Sequence, residues 1–560
     1  MTDIPRKEHP FPQFERTNWV NLNGTWQFEI DRGRSGTDRR LFEAKQLGSE
    51  ITVPFCPESE LSGIGDKDFM DCVWYKRKVT LPESFIGVRT ILHIGACDYH
   101  TTVWVNGKEA GTHFGGYVSF SFDITDLLTE GENDITIRAL DDTRSGKEPS
   151  GKQCFLYHSM GCHYTRTTGI WQTVWLESVP SSYIVSAKYY TSLDGTVRIV
   201  AATKNGFGKT LAVKASFGGK TVAEGSALVR GDRTEIVLKI DAPMLWGPGT
   251  PNLYDLELSM GEDLVKSYFG IREVSTADHR FYVNGKSVFG RFILDQGFYP
   301  DGIYTAPTEE ALRKDIELSM ACGYNGARLH QKIFEPRFLY WADRLGYLVW
   351  GEHANWGLDI AGIDAWKSFP AEWLEALERD FNHPSIIGWC PFNETQGNQD
   401  NDLLKFVYDL TKSLDPTRPV IDTSGWVHVG GHCDMVDCHD YEQDPAKFKE
   451  KYDKLMTGEP IEGTTQDLCF VSEFGGTWWA PGVKGGWGYG ASPADMDEFL
   501  TRYEGLVSAL LANDKLCAFC YTQLTDVEQE QNGLYTYDRR AKFPVDRLYA
   551  ITSAKAAVED

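Results

Sequence analysis

The sequence predicts two β-sandwiches followed by a (β/α)8 barrel, and three observations carry that prediction. Up to about residue 274, apolar residues recur with period two between turn signals. After Phe281-Tyr282-Val283-Asn284-Gly285-Lys286, short apolar strands alternate with helical stretches, the mark of α/β architecture. At 560 residues the chain exceeds what one hydrophobic core supports, so it divides into several domains.

The first zone, residues 1–182, reads as an all-β sandwich. Thr25-Trp26-Gln27-Phe28-Glu29-Ile30 and Val73-Trp74-Tyr75-Lys76-Arg77-Lys78-Val79 alternate in the strand period, and Asn106-Gly107 inside Val103–Lys108 is a strong hairpin signal. The second zone, 183–274, carries turn dipeptides at Asp194-Gly195 and Gly218-Gly219, has the length of an immunoglobulin-like sandwich, and closes with Phe269–Val274. The third, 275–560, offers eight candidate strands: Val288–Leu294, Gly326–Leu329, Tyr347–Gly351, Ile386–Phe392, Val420–Asp422, Met435–Cys438, Cys469–Ser472 and Cys517–Gln523. Helices are expected at Thr308–Cys322, Pro336–Leu345, Pro370–Phe381, Asp400–Leu414 and Pro493–Ala512. The first opens with an N-cap threonine and two acids in its first turn.

Composition excludes some functions. A formal charge of −24 repels phosphate backbones and anionic membrane surfaces, so neither nucleic acid nor membrane is an expected partner. The stretch Met1–Glu8 has no apolar core of a signal peptide and no later segment approaches a membrane span, which reads as cytoplasmic; a secreted chain whose signal peptide had been removed would look the same. The 12 Cys lie scattered, mostly in apolar runs, as free buried thiols do, and Cys517-Ala518-Phe519-Cys520 has no second pair nearby to complete a zinc site. No cofactor is expected. No metal is either, since His353 beside Glu352 falls short of the usual three protein ligands.

Chemistry enters with two glutamates. Glu394, in Trp389-Cys390-Pro391-Phe392-Asn393-Glu394, and Glu473, in Phe470-Val471-Ser472-Glu473-Phe474-Gly475-Gly476, each follow a short apolar run. In a (β/α)8 barrel, such strand-end acids face the pocket at the C-terminal mouth, and two of them match the paired carboxylates of glycoside hydrolysis.

The domain order resembles glycoside hydrolase family two. Thr168-Gly169-Ile170-Trp171-Gln172, Asn325-Gly326-Ala327-Arg328-Leu329-His330, His383-Pro384-Ser385-Ile386-Ile387-Gly388-Trp389 and Asn393-Glu394 carry the resemblance, which spans nearly the whole chain. It implies a jelly-roll first domain and an exo-acting, retaining glycosidase with Glu394 as acid/base and Glu473 as nucleophile, their carboxyls about 5–5.5 Å apart. It further implies that Asn393 binds the sugar's 2-hydroxyl and that Tyr441 hydrogen-bonds the nucleophile. Arg328 would keep Glu473 ionised and His330 would donate to the sugar. Asp295, Gln296, Tyr521 and Gln523 occupy strand ends with polar sugar contacts, Tyr521 standing where the family often has Trp. Trp350, Trp478 and Trp479 are candidate stacking walls.

Sugar identity turns on two departures from the family. His163, six residues before Gly169, stands where β-galactosidases and β-glucuronidases of the family present an Asp; His163 and Arg166 then become candidates for a carboxylate or a differently oriented hydroxyl. The strand-eight loop Glu528-Gln529-Glu530-Gln531-Asn532-Gly533-Leu534 lacks the Lys of the glucuronidase branch. The expectation is therefore β-galactosidase-like activity, with β-glucuronide, β-galacturonide and α-L-arabinopyranoside as alternatives, and a non-catalytic carbohydrate-binding protein as the alternative of another class. The partner is a carbohydrate, an oligosaccharide or glycoconjugate; a homo-oligomer is left open.

Overall fold

The computed structural model describes residues 4–85, 88–461, 464–483 and 485–559; the extreme N-terminal Met1-Thr2-Asp3 thus lies outside the described residues. Near the N-terminus a four-stranded and a six-stranded antiparallel sheet face each other over Trp26, Phe28, Leu92, Ile94, Val103 and Ile135. The Asn106-Gly107 turn joins His100–Val105 to Lys108–Phe114, both residues having the positive φ that such a hairpin requires. A three-stranded and a four-stranded sheet, covering Tyr183–Phe269, form the second sandwich around Ile199, Val213, Leu256 and Phe269. Arg16 ties the two together, with Glu177 at 2.9 Å and Asp263 at 2.7 Å.

The barrel strands are β1 (Gly290–Asp295), β2 (Gly326–Leu329), β3 (Leu348–Glu352), β4 (Ile386–Cys390), β5 (Thr423–Ser424), β6 (Val436–Asp440), β7 (Leu468–Gly475) and β8 (Ala518–Thr522). Seven form one parallel sheet in the order β4-β3-β2-β1-β8-β7-β6. The fifth is short: β5 pairs with Phe392–Asn393 just beyond β4, after a bridge between Trp389 and Val420. Its free edge meets β6 through side chains, Ser424 Oγ donating to Asp437 Oδ2 at 2.6 Å. All eight expected strands are present within a few residues.

Helices lie at Glu309–Ala321, Pro336–Leu345, Ile363–Asp380, Asn401–Leu414, Pro445–Met456, Met496–Leu511 and Val545–Thr552. The third begins seven residues before Pro370, which is tolerated inside the helix rather than starting it. Thr308 caps the first through Ala311 N, as its sequence indicates. The N-terminal end of the barrel is sealed by a small sheet from Val274 to Ser287, whose Phe281 and Val283 pack with Phe292, Leu348 and Phe470. Access is left to the C-terminal end.

One excursion positions the first sandwich on that end. Between Leu140 and Gly169 the chain leaves the sheets, and Ser150 N and Gly151 N both donate to Trp356 O at 2.9 Å. Gln529 Nε2 donates back to Gly161 O and His163 O, at 2.7 and 3.0 Å. The loop is therefore clamped onto the barrel mouth from two sides.

Candidate active site

Arg328, at the end of β2 and fully buried, organises the mouth. Its Nε donates to Glu352 Oε2 at 2.7 Å, Nη1 to Glu473 Oε1 at 3.1 Å and to Ser472 O at 3.0 Å, and Nη2 to Asn393 Oδ1 at 2.5 Å. The planar guanidinium thus orients residues from β3, from the segment just beyond β4 and from β7 together. Glu352 is pushed down to about 2: burial alone would raise it, but Arg328 and then His330 outweigh that.

Glu473 receives three kinds of help. Arg328 reaches one oxygen, the Tyr441 hydroxyl donates to the other, and His439 Nε2 stands 3.5 Å away. Burial would raise this carboxyl, yet His439, Arg328, His330 and Lys152 hold it well below the usual carboxylate range. It is an anion prepared in advance. The Tyr441 ring is fixed by face-to-face stacking on Tyr489, centroids 3.4 Å apart.

Glu394 sits across from it in the left-handed backbone region, φ 48°, unusual for a non-glycine residue and typical of strained functional positions. Its N–H donates to Ser424 O at 2.8 Å, and its Oε1 meets His439 Nδ1 at 2.7 Å. One oxygen from Glu394, one from Glu473 and a His439 nitrogen lie within 4.8 Å of one another. That upper limit lies below the roughly 6.5–9.5 Å of inversion and suits the shorter spacing used for retention. Burial would lower His439, but Glu473 first and then Glu394 raise it above the ordinary imidazole value. Asn393 offers a buried Nδ2 with no partner among the described residues, a free donor beside the acid.

Other expected residues divide. His330 joins the cluster, 3.1 Å from Glu352 and 3.9 Å from Glu473. His163 reaches the mouth, its ring 5.3 Å from that of Trp356, whose indole donates to Asn393 O. Gln523 Nε2 donates to Asn532 Oδ1 of the strand-eight loop, and its Oε1 has no partner among the described residues. Trp478 is partly exposed, with its indole N–H unpaired among the described residues.

Five expectations are corrected. Arg166 turns away and donates to the carbonyls of Cys154, Leu156 and Lys67, bracing the first-domain loop. Asp295 accepts from Gly297 N and has Asp315, Arg539 and Lys332 as its charged neighbours rather than the carboxylate pair, while Gln296 beside it in sequence is buried with its Oε1 unpaired among the described residues. Trp350 faces the barrel interior, filling the space that Gly388 leaves and packing on Phe470. Trp479 packs on Phe499 and Phe543 in the helix layer. Tyr521 points outward against Phe474 and Tyr503, whereas its neighbour Thr522 faces the pocket, 3.2 Å from the Tyr441 hydroxyl. Strand parity decides between those two, and a one-residue error reverses it.

Sequence reasoning missed Glu352 as an ion-pair partner, His439, Trp356, Tyr489, Lys152 and Glu530. One signal pointed to the position of His439: it stands two residues before Tyr441, the spacing that keeps one face along an extended chain. Glu530 is held by Tyr164 OH at 2.5 Å and Asn532 Nδ2 at 3.0 Å, and burial raises it. A cavity of about 740 Å³ lined by Glu58, Lys67, Tyr157, Arg166, Glu528 and Tyr537 includes neither Glu394 nor Glu473. The converging charged groups mark the site better than that volume does.

Two further histidines stand beside potential metal ligands. His353 is wedged between Phe369 and Trp373 and lowered to about 3 by burial. His428, near Asp422 and Cys433, engages acceptors with both nitrogens, Asp422 Oδ1 at 2.8 Å and Asp437 O at 3.0 Å, as an imidazolium does. All twelve cysteines are free thiols.

Comparison with known proteins agrees with this geometry. Three family models match consecutive segments: the sugar binding domain of glycosyl hydrolases family 2 over residues 19–180, glycosyl hydrolases family 2 over 177–272, and its TIM barrel domain over 274–455. A putative β-glucuronidase of Formosa agariphila is 30% identical over 62% of this chain, which spans 44% of that relative's length. Human β-glucuronidase is 26% identical, covering 81% of this chain and 80% of its own. A β-galactosidase of Thermoanaerobacter pseudethanolicus is 28% identical over 63% and 49%. The structure of a β-glucuronidase from Ruminococcus gnavus superposes with a TM-score of 0.82 at 18% identity, covering 98% of this chain and 100% of that one, which shows a shared fold. The chain therefore belongs to the glycosidases of glycosyl hydrolase family 2.

Proposed function

We propose that the protein is a retaining, exo-acting glycosidase that releases a terminal β-linked glucuronic acid, with Glu473 as nucleophile and Glu394 as acid/base. The observation that carries it is the pair of carboxylates in unlike settings at a separation suited to double displacement. Glu473 is ionised by its cationic neighbours, whereas Glu394 is partly open to solvent and bonded to a single histidine.

In the first step a Glu473 oxygen attacks C1, the C1–O glycosidic bond breaks, and Glu394 gives its proton to the departing oxygen. In the second, Glu394 takes a proton from water as the water oxygen attacks C1 and the ester to Glu473 breaks. Tyr441 and Arg328 hold the nucleophile's two oxygens, and the free Asn393 amide is placed to donate to a sugar hydroxyl.

For the sugar, the relatives favour β-glucuronide, one of the alternatives read from the sequence, over the β-galactoside that the sequence alone favours. The β-galactosidase relative keeps the neutral sugar as a second reading. A panel of nitrophenyl β-glucuronide, β-galactoside, β-galacturonide, β-mannoside and α-L-arabinopyranoside, assayed with wild type and Glu473→Ala, tests both points. Turnover that survives in the variant removes the nucleophile assignment, and no turnover of any glycoside by the folded protein favours a binding role.

A further inference from the structure

Lys152 lies in the excursion from the first sandwich and is only 5% exposed, yet its ammonium has no hydrogen bond and no ion pair within 4 Å among the described residues. Nearby acidic groups, Cys162 first and then Glu530, Glu473 and Glu394, raise it against burial and keep it charged, yet none comes within hydrogen-bond distance, so the three donors of the ammonium remain available to a ligand. Its position is well defined. The ammonium stands 3.8 Å from the centre of the Trp356 ring, and the Trp356 indole donates at 3.2 Å to the carbonyl of Asn393, the residue before the acid/base.

The backbone is shaped for this approach. Gly151 has φ 57°, and a Cβ there would meet Gln331 O at 2.3 Å, so only glycine lets Lys152 enter so closely beneath the clamp on Trp356. The surrounding carboxylates are otherwise engaged. Glu352 and Glu473 share Arg328, and both oxygens of Glu530 accept, from Tyr164 and Asn532. Meanwhile the strand-eight loop offers no Lys or Arg from Glu528 to Leu534. Lys152 is left as the pocket cation with no acceptor of its own among the described residues.

We propose that Lys152, supplied to the barrel mouth by the first sandwich, binds the carboxylate of the terminal sugar and selects hexuronides over neutral hexosides. The inference rests on the glycosidase reading of the same pocket. It divides the labour between domains: the barrel cleaves, and the first sandwich recognises the acid group.

The test compares Lys152→Ala and Lys152→Arg with wild type, using aryl β-glucuronide and aryl β-glucoside with the same leaving group, circular dichroism confirming that each variant folds. The ratio of kcat/KM for the uronide over the neutral glycoside falls about 100-fold in Lys152→Ala, the scale of one lost charge-assisted hydrogen bond, and partly recovers in Lys152→Arg. An unchanged ratio overturns the proposal, as does a wild type that cleaves only neutral glycosides. Titration calorimetry with glucuronate and glucose reads the same preference without turnover. Wild type binding glucuronate no better than glucose also overturns it, whereas activity retained in Glu473→Ala would instead sink the mechanism.

Discussion

His439 links the two proposed catalytic carboxylates: its Nδ1 is 2.7 Å from Glu394 Oε1 and its Nε2 is 3.5 Å from Glu473 Oε1. One imidazole thus feels both charges, and its raised pKa follows from that position more than from its own strand.

That position fixes how His439 contributes to stability as pH changes. A histidine whose folded pKa is raised adds stability that is complete below the unfolded value of about 6.5 and is lost as pH rises through the folded pKa. The difference in melting temperature between wild type and His439→Gln should therefore shrink from pH 6 toward alkaline pH. A difference that grows with pH would show that the histidine is not charged in the folded protein.

Glu473→Ala should lower kcat by more than roughly 1000-fold, because the covalent step is lost. Glu394→Ala should lose about 100-fold or more, less for aryl glycosides whose leaving group needs no proton. Azide should restore part of the activity of each and give products of opposite anomeric configuration, read by NMR. The same anomer from both variants would contradict the division of roles.

Tyr441→Phe removes the hydroxyl from Glu473 while leaving the ring stacked on Tyr489. A fall of about 10- to 100-fold in kcat with unchanged melting temperature is expected, the scale of one charge-assisted hydrogen bond. Loss of folding instead would make the residue structural.

Glu352→Ala strips a fully buried partner from Arg328, leaving a charge that Glu473 alone must balance. Breaking such a pair costs about 3–5 kcal/mol, measurable as a shift in denaturant midpoint. Because Glu352 is pushed down to about 2, its contribution is complete above the unfolded value of about 4.3 and is lost as pH falls from there toward 2.

A chelator should leave the initial rate unchanged. The Glu394, His439 and Glu473 atoms that approach within 4.8 Å already satisfy one another by hydrogen bonding and charge. A rate that falls with chelation and returns with a divalent ion would assign that triangle to a metal.

The order of domains, the eight barrel strands and both glutamates were legible in the sequence. Periodicity reports which face of an element is buried, and a strand end followed by an acid has few other uses in a barrel. Arg328, His330, Asn393 and Tyr441 were named from strand-end positions and from segments that resemble the family's, and the fold gathers them around Glu473. Depth and parity were the weak points: Trp350 shares the inward face of Glu352 but lies deeper in the barrel, whereas Trp479 and Tyr521 turn to packing against the helix layer.

Tertiary structure alone decided the rest. Glu352 and His439 acquired their roles from Arg328 and from the carboxylates of Glu394 and Glu473, across strands far apart in the chain. Lys152 is more remote still: it reaches Trp356 only because Gly151 permits a close backbone approach between two domains. A local pattern determines which way a residue faces along its own element, whereas the charge it meets is set by long-range packing, and no periodicity in the sequence records that.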